Sequence, residues 1–162
     1  MQAAKTIVMG IDPGYDRLGW AVGSTASRKL QLIDHGSIQT DKNDSILLRY
    51  QAILSELGQL ITKYQPNQVA IEELYFSTNK KTALRVSEVR GVILALFLQN
   101  NIAAFEYHPQ SIKLAVTGHG KADKSAMAKQ LQLELGVDPK LIDDELDAIA
   151  ISLTHVLTHG VS

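Results

Sequence analysis

Short apolar runs and longer stretches of helical periodicity alternate along this chain, and their order predicts its elements. Lys5 to Ile11 has the length and β-branched content of a buried strand. Pro13 and Gly14 then turn the chain, Pro by fixing φ and Gly by tolerating φ > 0. Leu18 to Gly23 reads as a second strand. Leu30 to Ile38 reads as a third, separated from the second by polar Ser24 to Arg28. Connections this short predict antiparallel neighbours, a three-stranded meander. From Ser45 to about Tyr64 the apolar positions Ile46, Tyr50, Ile53, Leu57 and Ile61 keep helical spacing, until Gln65-Pro66-Asn67 stops them. Gln68 to Glu73 is a fourth strand. A strand, a long helix and a strand make a crossover, so it should lie parallel to the first.

The pattern continues with a second long helix from about Lys80 to Asn100, basic in its first half and almost wholly apolar from Val92 to Leu98. A helix apolar nearly all round is buried in a core or against a partner chain. Ile102 to Tyr107 is a fifth strand, parallel by the same crossover rule. Pro109 to Val116 predicts a short helix. Another opens near Ala122, with Asp123 as cap and Gly136 as stop. A last helix runs from near Asp143 to about Thr158. The expected architecture is α/β: a five-stranded mixed sheet, with three antiparallel strands followed by two parallel crossovers, flanked by helices in one domain spanning residues 1–162.

Acids fall where these elements end. Asp12 closes the first strand and Glu72-Glu73 the fourth, and equivalent ends of parallel strands lie side by side, where open α/β sheets form their sites. Alternation puts Ala70 and Glu72 on one face and Ile71 and Glu73 on the other, which leaves open which glutamate points inward. In the last helix Asp144 and Asp147 share a face at i, i+3. First-turn acids complement the helix dipole by about 0.3–1 kcal/mol, which accounts for Asp143, Asp144 and Glu145. Asp147 stands among Leu146, Ala148, Ile149, Ala150 and Ile151, and a buried acid needs a partner. Oxygen ligands without His or Cys suit a hard cation, Mg²⁺ or Mn²⁺. Two such ions, roughly 3.5–4 Å apart, would clamp the attacking and leaving oxygens of a phosphodiester.

Composition narrows the class. The chain has 162 residues and no cysteine, which excludes disulfides and thiolate chemistry. Net charge is −1, so a nucleic-acid partner must be met by a local basic patch. Lys80, Lys81, Arg85, Lys113, Lys121 and Lys124 supply candidate phosphate contacts, and Tyr75 and Phe76 could stack on an unpaired base. No signal pattern and no run of membrane-spanning length occur, so a cytoplasmic protein with no membrane partner is expected.

Gly10-Ile11-Asp12-Pro13-Gly14, Ala70-Ile71-Glu72, Arg90-Gly91, Thr117-Gly118-His119-Gly120-Lys121-Ala122-Asp123-Lys124, and Asp144 with Asp147-Ala148-Ile149-Ala150-Ile151 occur in that order. With these segments the chain resembles, over essentially its full length, the RuvC family of Holliday junction resolvases. The resemblance implies a ribonuclease-H-like fold and a homodimer that resolves four-way DNA junctions in recombination and repair by paired symmetric nicks. It implies Mg²⁺, two ions per site, with Mn²⁺ able to substitute. It also implies a branch-migration motor complex as partner. Carried over by position, the catalytic and metal-binding carboxylates are Asp12, Glu72, Asp144 and Asp147. Lys113 and Lys124 match basic residues near the active site, and Tyr75 or Phe76 an aromatic that helps open the junction. The rival readings are a ribonuclease-H-like nuclease acting on RNA or RNA/DNA hybrids, half of a sugar-kinase or actin-like ATPase, and a non-catalytic junction-binding dimer.

Overall fold

A computed structural model of the chain describes residues 6–26, 28–75 and 79–159. Its elements follow the expected order: β1 (Ile7–Asp12), β2 (Arg17–Ala26), β3 (Lys29–Gln39), α1 (Ile46–Tyr64), β4 (Gln68–Glu72), α2 (Lys80–Gln99), β5 (Ala103–Tyr107), α3 (Pro109–Thr117), α4 (Lys124–Leu135) and α5 (Asp143–His159). The sheet order is β3-β2-β1-β4-β5. β1–β2 and β2–β3 are antiparallel, and β1–β4 and β4–β5 parallel.

Local chemistry sets the helix boundaries. Ser45, Asn79 and Asp123 cap α1, α2 and α4 by accepting from the backbone N–H groups of Leu48, Thr82 and Ala126. Gly118 and Gly136 end α3 and α4 at φ +79° and +70°, where a side chain would be strained. The polar stretch Ser24 to Arg28, expected to be a connection, is strand for much of its length. β2 runs on to Ala26, β3 begins at Lys29, and Ser24 is buried, pairing with Ile7 and Gln31. Pairing on both sides overrides the polar composition there.

The central strands are covered on both faces, which is why β1 reads as a nearly continuous apolar run. Met9, Ile11, Val22, Val69 and Ile71 pack under α1 and α2 with Ile53, Leu57, Val89, Ile93 and Phe97. Val8, Ala21, Ala70 and Tyr107 pack on the other face against α3 and α5, through Ile112, Val116, Ala148, Ile149 and Ile151. The apolar half of α2 is therefore divided. Ile93 and Phe97 are core, Val92, Leu94 and Leu96 pack at its margin, and Gly91, Ala95 and Leu98 stay exposed. Among the described residues no helix is long and apolar enough to cross a membrane.

Candidate active site

β1 and β4 are paired in parallel up to Ile11–Ile71, so Asp12 and Glu72 follow as neighbours at the same edge of the sheet. On β2, Gly19 is the residue opposite Asp12. The absence of a side chain at Gly19 lets α5 close in, since a Cβ there would collide with the Asp144 carbonyl. A Cβ at Gly10 would likewise collide with the Ala148 carbonyl and the Ser152 hydroxyl. These two glycines seat α5 flat on the sheet and bring its first two turns to the edge where Asp12 and Glu72 stand. Nothing in the local pattern around Gly19 signals that role, because the atom it makes room for lies far along the chain.

The acids Asp12, Glu72, Asp144 and Asp147 meet electrostatically. Burial pushes the Asp12 carboxyl up to about 8, helped by the charges of Asp147, Glu72 and Asp144, with Lys124 pulling the other way. Burial, and then Asp147, raise Glu72 to about 7, opposed by Lys113. Asp147 is also raised, by burial first, with Lys124 lowering it. Asp147 is half-buried, not fully buried as its apolar neighbours in sequence suggested. Glu72 lies on the α5 face with Ala70, while Glu73 is exposed and spends its backbone N–H on the Tyr107 carbonyl at 2.8 Å. The alternation that left the two glutamates open is resolved by which face α5 covers.

Donor chemistry makes the cluster fit for a hard divalent cation. Carboxylates forced together away from water repel one another, and a cation relieves both the repulsion and the lost solvation. Asp144 Oδ2 is buried with no hydrogen-bond partner; Arg17 Nε stands 3.0 Å away in an ion-pair contact outside hydrogen-bond geometry. Among the described residues no three acidic or histidine side chains already converge on one point as a closed ion cage does.

A cleft of about 440 Å³ opens beside the acids, between α3, α4 and α5. Glu72 and Asp147 stand on its wall with Lys113, Lys124 and apolar Ile112, Met127 and Ile151. Lys124 also pairs with Asp143 at 2.6 Å. Lys121 lies outside this cleft, in an open groove with His119 and Lys129. Lys80 and Lys81 are exposed at the start of α2, and Arg85 is engaged there by Glu88 at 2.8 Å. Tyr75 is 70% exposed and stands edge-on to His108 at 5.4 Å between ring centroids. Phe76 lies outside the described residues. The expected cations therefore fall into two groups, with Lys113 and Lys124 beside the acids and the others farther out.

Sequence reading missed Arg49. It is nearly buried, donates to the Tyr15 carbonyl at 3.1 Å and the Thr40 hydroxyl at 2.9 Å, and pairs with Asp16. It thereby ties down the turn that follows Asp12. Its only trace in sequence is a cation inside the buried stripe of a helix.

The sequence profile of the family described as "Crossover junction endodeoxyribonuclease RuvC" matches residues 8–155. A protein of that name from Pseudothermotoga lettingae is 40% identical over 158 residues, 96% of this chain and 97% of its own. One from Brachyspira hyodysenteriae is 44% identical over 149 residues, 92% of each chain. Among solved structures, "T. thermophilus RuvC in complex with Holliday junction substrate" superposes with a TM-score of 0.87 at 28% identity, covering 94% of both chains.

Proposed function

Since this chain belongs to the RuvC family of crossover junction endodeoxyribonucleases, we propose that it resolves four-way DNA junctions by metal-dependent hydrolysis of phosphodiester bonds. The observation that carries this reading is the meeting of Asp12, Glu72, Asp144 and Asp147 at one sheet edge beside Lys113 and Lys124.

In this reading the four carboxylates hold the divalent metal, with Mg²⁺ the expected ion, two ions per site, and Mn²⁺ able to replace it. When bound, the metal supplies Lewis-acid stabilisation of the phosphoryl oxygens and a nucleophile at neutral pH. The protein's own groups do the rest. Asp12 and Glu72 release their protons as the cation binds, since burial and like charge hold them protonated near neutrality without it. Lys113 and Lys124 flank the acids and offset the charge of the strand being cut. Water adds to phosphorus, the bond to the 3′ oxygen breaks, and a 5′-phosphate and a 3′-hydroxyl remain. Lys80, Lys81, Arg85 and Lys121 serve the DNA arms, and Tyr75 or Phe76 the branch point.

Paired nicks need two sites, and a two-fold homodimer supplies them to a two-fold substrate. The exposed strip Leu84, Gly91, Ala95 and Leu98 of α2 is the proposed contact. A branch-migration motor as partner rests on family membership alone. The ribonuclease-H-like alternative acting on RNA or hybrids is not favoured by the family match.

The test is nicking of a synthetic four-way junction, a duplex, a flap and an RNA/DNA hybrid in parallel, with and without Mg²⁺. Junction-selective, metal-dependent, paired nicks are expected. Preference for the hybrid would overturn the reading.

A further inference from the structure

Arg90 approaches the acid edge from the wrong side to be one of its cations. It stands on α2, which packs over the face bearing Val69 and Ile71, whereas the Glu72 side chain lies on the α5 face. Its side chain is 15% exposed, and its guanidinium is committed at both ends. Nε donates to the backbone carbonyl of Glu72 at 3.0 Å, and an Nη pairs with Glu106 of β5, the residue opposite Ile71 in the ladder. With Glu106 on one side and a carbonyl on the other, it has little reach left for a phosphate. Lys113 is the cation that faces the Glu72 carboxyl.

Glu72 is the last residue of β4, and its pairing with β1 ends one residue earlier, at Ile71. Beyond it residues 73–75, which include Tyr75, lie outside the strand. We propose that Arg90 is a positioning residue: by gripping the Glu72 carbonyl and β5 together, it fixes the Glu72 peptide, and so the aim of the Glu72 carboxylate. The proposal rests on Glu72 being a metal ligand.

The physical need is plain. Asp147 repels Glu72, and where the Glu72 carboxylate can reach depends on where its peptide is held, since its side-chain torsions start from that backbone. A planar guanidinium can hold a carbonyl and a carboxylate at a fixed angle to each other. A lysine ammonium of the same charge is a single point and cannot reproduce that fork. The arrangement also ties the strand carrying Glu72 to the helix whose first turn carries Lys80 and Lys81.

The experiment uses the full-length chain with Arg90→Lys, Arg90→Gln, Glu106→Gln and Glu72→Gln, and the double change Arg90→Lys with Glu72→Gln. Mn²⁺ affinity is read by calorimetry without DNA, and junction affinity without metal, with circular dichroism as the check on folding. Arg90→Lys and Arg90→Gln should weaken Mn²⁺ binding about 10–100-fold, the usual effect of losing a group that orients a ligand. Junction affinity should stay within about threefold, as expected when no phosphate contact is lost. Glu106→Gln should do less, since the Nε bond to the carbonyl remains. In the Glu72→Gln background the Arg90→Lys effect should vanish, which a merely structural role would not produce. Folded Arg90→Lys protein with wild-type Mn²⁺ affinity would overturn the proposal, as would an undiminished effect in the double variant. If Glu72→Gln itself leaves Mn²⁺ binding unchanged, the assignment of Glu72 as a ligand fails instead.

Discussion

At the scale of single residues, the acid cluster, if it holds the metal as proposed, trades stability for metal binding. Asp12 has a carboxyl raised from 3.8 to about 8 in the folded chain, so the native state holds a proton that the unfolded state has released. The metal-free fold therefore loses stability as pH rises from about 4 through 8. Asp12→Asn keeps the shape and removes the charge. It should stabilise the metal-free protein at pH 8, with the gain closing as pH falls towards 4, while cutting falls by at least about 100-fold, since a bound metal contributes several kcal/mol to such transition states. Urea unfolding in chelator at several pH values, beside junction nicking, measures both. A variant that cuts at the parental rate removes Asp12 from the site.

His155 carries the opposite sign. It is 1% exposed and donates from Nε2 to the Gln68 side-chain oxygen at 2.9 Å, an assignment set by the acceptor. Its Nδ1 then accepts from the Tyr107 hydroxyl at 2.7 Å, and that hydroxyl accepts from His159 Nδ1 at 2.8 Å. Burial, then the neighbouring His159, lower the His155 pKa from 6.5 to about 4. The unfolded chain thus binds the proton first, and stability is lost as pH falls from about 6.5 to 4, by on the order of 3 kcal/mol. His155→Gln should be less stable than the parent at pH 8, and that deficit should shrink by a similar amount at pH 4. A deficit independent of pH would show that His155 does not titrate in this window.

At the scale of elements, α2 illustrates how a single apolar run can serve two faces. Val89, Ile93 and Phe97 are fully buried, so Phe97→Glu would disrupt the fold rather than report on assembly. The outward strip is what remains: Leu84 at 62% and Leu98 at 59% exposed, with Gly91 and Ala95 between them. A Cβ at Gly91 meets nothing within 4 Å in the isolated chain. Gly91→Ala should therefore stabilise a lone protomer by about 0.5–1 kcal/mol through helix propensity. Should a second copy pack closely over this strip, the same methyl would crowd the contact and weaken the dimer about tenfold or more, by the roughly 1–3 kcal/mol cost of overpacking. Sedimentation at low micromolar concentration separates the two effects. A variant dimer of unchanged affinity would move the interface elsewhere on the molecule.

At the scale of the whole molecule, the proposed function links metal affinity, activity and pH through one cluster. The carboxyls of Asp12 and Glu72 lie near 8 and 7 without metal, so protons and cations compete for them. Nicking at limiting Mg²⁺ should rise with pH from about 6 to 8, and saturating Mg²⁺ should move that limb to lower pH. Rate profiles at two metal concentrations decide the matter; a limb that ignores metal would assign the titration to another group.

Much of this architecture was written into local pattern. Period-two and period-3.6 runs, the Asp123 cap and the Gly136 stop specified the elements, because each depends on neighbours a few residues away. The crossover through α1 then required β1 and β4 to be parallel, which put Asp12 and the Glu72-Glu73 pair at one edge. What the tertiary structure alone decided were matters of contact between distant segments. Which of Glu72 and Glu73 faces inward, left open by alternation and chosen beforehand only by the family resemblance, followed from which face α5 covers. The depth of α5 followed from missing side chains at Gly10 and Gly19, and the burial of Ser24 from strands pairing on both sides of it. Arg49 and Arg90 found their partners 34 and 18 residues away. Local sequence carries periodicity and turn chemistry, whereas close approach and charge pairing across the core are fixed only when the whole chain has packed.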